Sequence, residues 1–364
     1  MAVNNRRSYL DMLRIIACFL VIFNHTEGYH AYLTNTDSLK AICYIPLSVL
    51  TKVAVPIFLM ISGALLLSKD ISYRDIFTKR IPRIATVLIL FSLVMYLVAI
   101  RKDIHSFDPV FFLRNLLSGS HEIAYWYLYC YLGFLLELPW LRRIAKNLTA
   151  TDFKVLLIGY CILSSLFPLM NYVLGYFGIC AFSLTKSFTV PIITASALFY
   201  PLIGYCIDQA FDIEKLNRKT ITVLCAVFFA GVGISMLVTY HQGTAAGYTQ
   251  DYVGLFDYLL AICIFLFVKY WFTHTEKRTG LHRFVTFVGP LTFGIYLMDP
   301  ALKITWGLFN SVITLRDPVL HSFIWCIFSM LTGGFITFLF KKFRLSISCC
   351  KNADSIFFPE SGRS

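Results

Sequence analysis

The sequence predicts an all-α, polytopic integral membrane protein with about ten transmembrane helices and both termini in the cytoplasm. Three observations predict it. Hydrophobic residues make up 58% of the 364 residues and charged residues only 14%, whereas an ordinary soluble domain carries about 25% charged residues. The apolar residues gather into runs close to the roughly 20 residues that cross about 30 Å of hydrocarbon. The Lys and Arg residues fall between those runs, and their density alternates from loop to loop.

The runs lie at 9–28, 41–68, 82–100, 123–141, 154–173, 188–207, 219–239, 253–271, 284–303 and 319–340. The first follows Arg6 and Arg7 and superficially looks like a secretory signal. Asp11 and Arg14 interrupt it and no A-x-A-like site follows, so it reads as a retained span. The second is long, and Pro56 predicts a kink or tilt within it. Between the fifth and sixth runs, "GYFGICAFSLTKS" is itself apolar and leaves room for a re-entrant segment between residues 173 and 187. Beyond the tenth run the sequence gives one membrane domain over 1–345 and a short cytoplasmic tail over 346–364. No internal repeat is visible.

Distributing all 32 Lys and Arg over ten spans puts 23 on the side of the termini, 8 on the other and Arg14 inside the first span. The positive-inside rule then places both termini in the cytoplasm. The net charge of +12 comes from these short clusters, which read as topology and not as a nucleic-acid surface. The eleven Cys are scattered through apolar stretches without zinc or disulfide spacing, and read as small buried hydrophobes. Cys349 and Cys350 read as juxtamembrane thiols in preference to a lipidation signal. Metal-binding patterns, glycine-rich phosphate loops and GxSxG are absent.

Chemistry concentrates in the first span, "LDMLRIIACFLVIFNHTEGYH". Ionisable groups inside a membrane segment are costly and normally face a protein interior or a cavity. At about 100° per residue, Asp11, Arg14, Cys18 and His25 fall on one stripe. Arg14 and His25 are separated by about 16 Å along the axis, so one sits near a membrane face when the other is near mid-depth. His25 is the candidate base, since a neutral imidazole takes a proton near neutral pH. Its bland alternative is a histidine bonded to a neighbouring helix. Arg14 suits phosphate or carboxylate recognition, with Asp11 at i−3 to hold it; a snorkelling arginine is the alternative. Glu27 and His30 follow on the outer side as candidate entrance residues or solvated loop residues.

Elsewhere, "SKDISYRDIFTKRIPRI" carries Arg80 and Arg83 three residues apart at the cytoplasmic face. Such a pair clamps polyphosphate or simply supplies positive-inside charge. Trp126 begins an aromatic run that ends in "LLELPW" with Glu137; both residues read as interfacial structure or as part of a cavity. Asp299, in "FGIYLMDP", is either a cavity acid or a helix-end residue.

Taken in order, these pieces resemble the acyltransferase 3 family of bacterial membrane acyltransferases over essentially the whole chain. The matching pieces are "YLDMLRIIACFLVIFNH" with Arg-x10-His, "VPIFLMISGALLL" with Ser62-Gly63, "FTKRIPRI" with Arg-x-x-Arg, "YWYLYCYLGFLLELPWL", and "FGIYLMDP" in place of the family's "GIYLiHP". The last departs from the family, because Asp299 stands where the motif has histidine. The resemblance implies a multi-pass protein of the bacterial plasma membrane with no permanent cofactor and no metal. It would move an acyl group, usually acetyl, from cytoplasmic acyl-CoA to a hydroxyl of an envelope sugar or polysaccharide precursor. By position it implies a catalytic role for His25, supported by Asp11, and donor contacts from Arg14, Arg80 and Arg83. The acceptor side falls to Glu27, Trp126 and Asp299. The alternative is a transporter or a substrate-binding membrane module of the same family, using the polar stripe as a path.

Overall fold

The computed structural model describes residues 7–26, 38–103, 106–119, 122–180, 182, 184, 190–209, 217–246, 253–275 and 280–346. The described residues are predominantly helical, with no strand among them. The helices are α1 (Ser8–Thr26), α2 (Ser38–Thr51), α3 (Ala54–Leu66), α4 (Ile81–Ala99), α5 (Pro109–Ser118), α6 (Trp126–Asn147), α7 (Ala150–Cys161), α8 (Phe167–Tyr176), α9 (Ser196–Gln209), α10 (Arg218–Ala246), α11 (Asp257–His274), α12 (Gly280–Val288), α13 (Thr292–Leu302), α14 (Trp306–Val312) and α15 (Pro318–Ser346). Among the described residues, eight helical stretches are long and apolar enough to cross a membrane. The other two runs read from the sequence are also helices: α6 of 22 residues and the 14-residue α9.

Two details differ from the sequence expectation. The long second run breaks at residues 52–53, between α2 and α3, and not at Pro56. Pro56 sits in the first turn of α3, where a missing N–H removes no helical hydrogen bond. The sixth run, 188–207, breaks at Ala195, between a short helical turn at Pro191–Thr194 and α9, which continues to Gln209. Of the stretch read as a possible re-entrant segment, residues 181, 183 and 185–187 lie outside the described residues, as do Cys349 and Cys350.

α3 and α9 form the centre and pack most extensively against each other. The contact is backbone to backbone. A Cβ on Gly63 would lie 1.9 Å from the Pro201 carbonyl oxygen, and one on Gly204 would lie 2.0 Å from that of Met60. Only glycine permits this approach, which is the small-residue solution to helix packing in lipid. α1 packs on α3, α11, α13 and α15 around that centre. The outer helices instead present large apolar side chains outward, among them Leu90, Ile158, Phe229, Leu331 and Phe335.

Polar ties sort the helix ends into two sets. Arg7 and Tyr9 both bond Asp208 at the end of α9. Lys269, near the end of α11, donates to the carbonyls of Ile207 at 2.8 Å and Asp208 at 3.2 Å. Arg142, near the end of α6, pairs with Asp70. At the opposite end, the Tyr44 hydroxyl donates to Asp317 at 2.7 Å and His25 meets Asp299. Each tie joins ends that ten alternating crossings put on the same side.

Candidate active site

His25 occupies the last turn of α1, half-buried. Its Nδ1 lies 2.8 Å from Asp299 Oδ2, across 274 positions of sequence. Asp299 is 2% exposed, and its other oxygen accepts a 3.0 Å bond from the Ser329 hydroxyl of α15. A carboxylate only accepts, so this geometry places the His25 proton on Nδ1 and leaves the Nε2 lone pair for chemistry. The Lys303 ammonium donates to the His25 carbonyl at 2.8 Å and covers the end of α1. Positive charge at a helix C-terminus is favourable there.

His25 lines a cavity of about 460 Å³. Asn24, Thr51 and Lys52 share its rim region, and Trp126, Tyr127 and Phe293 supply aromatic faces. Tyr125 and Tyr296 brace this wall: the Tyr125 hydroxyl donates to Leu297 O at 3.1 Å, and that of Tyr296 donates to Ala124 O. Trp126 remains half exposed. A mostly apolar cavity with a few placed polar groups is the common form of a small-molecule site.

The other end of the α1 stripe is closed. Asp11 and Arg14 pair with each other, both buried, at 1% and 5% exposure. Gly289 admits this pair, since a Cβ there would lie 2.7 Å from Asp11 Oδ1. The Arg14 and Arg80 guanidiniums both act electrostatically on the Tyr131 hydroxyl, so α1, α6 and the segment before α4 converge. A π-helical stretch, Ile76–Arg80, delivers Arg80, and such bulges frequently mark functional positions. Arg80 Nη1 is buried with no hydrogen-bond partner among the described residues. Lys69 is close enough to feel Arg80 and Arg7. Burial, and after it those two charges, pushes its ammonium below the usual lysine range. Like charges held together in this way suit an anion.

The structure thus brings His25 and Trp126 to one cavity, sets Asp299 behind His25 and outside the cavity lining, and brings Asp11, Arg14 and Arg80 together at the other end. Arg83 is half-buried near the start of α4. Glu27 and His30 lie outside the described residues. The cavity does not extend to Arg14 or Arg80: Tyr127 lines its wall, and Tyr131, one turn further along α6, lies toward the arginines. The two rings are 6.1 Å apart.

The family model described as an acyltransferase domain matches residues 7–341. The chain belongs to the acyltransferase 3 family. No curated protein and no solved structure matches it. The match spans every helix described above except the final turns of α15, so both polar regions of this membrane acyltransferase lie inside the family domain.

Sequence reasoning missed Ser329, Tyr131, Asp257 and Tyr200. A serine in an apolar span carries no local signal for Ser329. Asp257 did carry one. It is an acid inside the run at 253–271 and answers to the same rule that singled out Asp299.

Proposed function

We propose that this membrane acyltransferase moves an acyl group, acetyl by preference, from cytoplasmic acyl-CoA to a hydroxyl of a cell-envelope sugar or polysaccharide precursor. It would do so in the bacterial plasma membrane. The observation that carries the reading is the Ser329–Asp299–His25 chain ending at a cavity. A buried carboxylate fixes the imidazole tautomer and stabilises the imidazolium that forms when the base takes a proton.

In the reaction, His25 Nε2 removes the proton of the acceptor hydroxyl as its oxygen attacks the thioester carbonyl. The C–S bond breaks as the tetrahedral intermediate collapses. The coenzyme A thiolate takes the proton back from His25, which returns the base to its neutral form. Arg80, with its unsatisfied nitrogen, and Arg14 are suited to the phosphates of coenzyme A. Tyr127 and Tyr131 stand between the phosphate end and the base, so the acyl arm must displace or thread past these rings.

The test is turnover of acetyl-CoA by the purified protein in nanodiscs, wild type beside His25→Ala. Transfer by the wild type and a fall of about 10²–10⁴-fold in the variant is the expected result. Undiminished transfer in a folded His25→Ala variant overturns the assignment of the base. Solute flux into proteoliposomes without any acyl-CoA would make the protein a transporter instead.

A further inference from the structure

The cavity has a second polar wall that the chemistry above does not use. Asp257, the first residue of α11, lines it together with Tyr200 of α9, Ser164 and Ser196. The Tyr200 hydroxyl donates to Asp257 Oδ1 at 3.1 Å, and the Tyr160 and Tyr200 hydroxyls are 3.0 Å apart. The Tyr258 backbone N–H also donates to the Asp257 carboxylate. Nearby, the buried Ser165 hydroxyl bonds the Leu255 carbonyl and ties the π-helical stretch Ile162–Leu166 to the turn ahead of α11. Tyr160 stacks on Phe199 with centroids 4.0 Å apart, which holds the tyrosine pair rigid.

An acid inside a membrane domain is expensive and is retained where it has work to do. Two donors hold Asp257, yet a carboxylate has about four lone-pair positions, so acceptor capacity remains on the cavity side. Among the described residues its hydrogen-bond partners are the Tyr200 hydroxyl and the Tyr258 amide. The same cavity is lined by the aromatic rings of Trp126, Tyr127 and Phe293. Aromatic faces for the C–H side of a sugar ring, together with a carboxylate for its hydroxyls, are the two parts that a glycosyl-binding site needs. A transition-state base alone does not require either.

We propose that Asp257, fixed by Tyr200, is the acceptor-holding residue of this cavity, accepting hydrogen bonds from hydroxyls of a glycosyl ring that the aromatic wall covers. This rests on the acyl-transfer reading for the identity of the ring as acceptor, but binding of the ring is measurable without any donor. The chain Tyr160–Tyr200–Asp257 then sets which hydroxyl reaches His25.

The experiment measures equilibrium binding of methyl glycosides of hexoses and N-acetylhexosamines to the full chain in nanodiscs. Coenzyme A affinity and melting temperature are measured alongside. The wild type binds at least one glycoside. Asp257→Asn weakens that binding about ten- to a hundredfold, the range expected for hydrogen bonds to a charged group. Asp257→Glu recovers part of it, and coenzyme A affinity is retained. Tyr200→Phe keeps the ring but frees the carboxylate, and weakens binding by a few-fold; it decides the matter if Asp257→Asn does not fold. Absence of glycoside binding by the wild type overturns the proposal, as does unchanged affinity in a folded Asp257→Asn variant whose only change is a lower melting temperature. Glycoside binding through Asp257 without acetyl-CoA turnover would keep the sugar site and remove the acyltransferase chemistry instead.

Discussion

The two ends of α1 carry the same kind of resource, a buried acid beside a basic group, and use it in opposite ways. At one end Asp11 and Arg14 neutralise each other within a single helix, packed under Gly289. At the other, Asp299 comes from a distant helix and holds His25 by one nitrogen only, with the imidazole facing a cavity. In the first arrangement the acid and base face each other; the second is held on one side and lines a cavity on the other. An intramembrane ion pair is therefore not by itself a sign of catalysis. What distinguishes the His25 end is that the imidazole, held through one nitrogen, lines a space large enough for a substrate.

The sharpest break of this comparison is at the closed end. Arg14→Ala leaves the Asp11 carboxylate buried without its partner, and removal of one member of a buried pair costs about 3–5 kcal/mol. Thermal unfolding in detergent should show this as a large fall in melting temperature. The double variant Asp11→Ala, Arg14→Ala should recover much of the stability but not coenzyme A affinity. Recovery of both would reduce Arg14 to a structural residue and leave donor binding to Arg80 and its neighbours.

At the open end, Asp299→Asn should fold nearly normally, because Ser329 still has a side-chain acceptor. Transfer should nevertheless fall by about 10²-fold or more, since an amide no longer fixes the tautomer or stabilises the imidazolium. Single-turnover transfer at saturating acetyl-CoA would measure it. An Asp299→Asn variant with wild-type turnover would mean that the contact with His25 only anchors the end of α1.

The comparison also shows what a sequence can reveal. Asp11, Arg14 and His25 were legible as one stripe because helical period alone places them there. The all-α membrane architecture was equally legible, from apolar run length and the asymmetry of Lys and Arg. The partner of His25 was not, because the contact with Asp299 depends on how α1 and α13 pack, and no local pattern encodes a contact across 274 residues. Nor does hydropathy separate a lipid-facing helix from one buried by protein. Nor does it locate a break inside a span: the sixth run breaks at Ala195, and the second at residues 52–53 and not at Pro56. Ser329 and Tyr200 are ordinary span residues until the fold sets them beside a carboxylate.

The mildest test concerns Arg80. Arg80 is only half-buried, and its Nη1 has no hydrogen-bond partner among the described residues. Truncation to alanine removes no ion pair among the described residues, so the melting temperature should change little. If that nitrogen serves a phosphate, coenzyme A should dissociate about tenfold more easily, equivalent to about 1.4 kcal/mol. Arg80→Lys should restore only part of the loss, because an ammonium lacks the planar fork that engages two phosphate oxygens. The loss should shrink as salt is raised, since added ions screen the wild-type contact more than the variant's. Equal coenzyme A affinity for wild type and Arg80→Ala at low salt would mean that the π-helical stretch delivers Arg80 to the membrane surface and not to the donor. Weakened affinity in a fully stable variant would show the closed end to be a binding site waiting for its anion, and the two ends of α1 to differ in which substrate completes them.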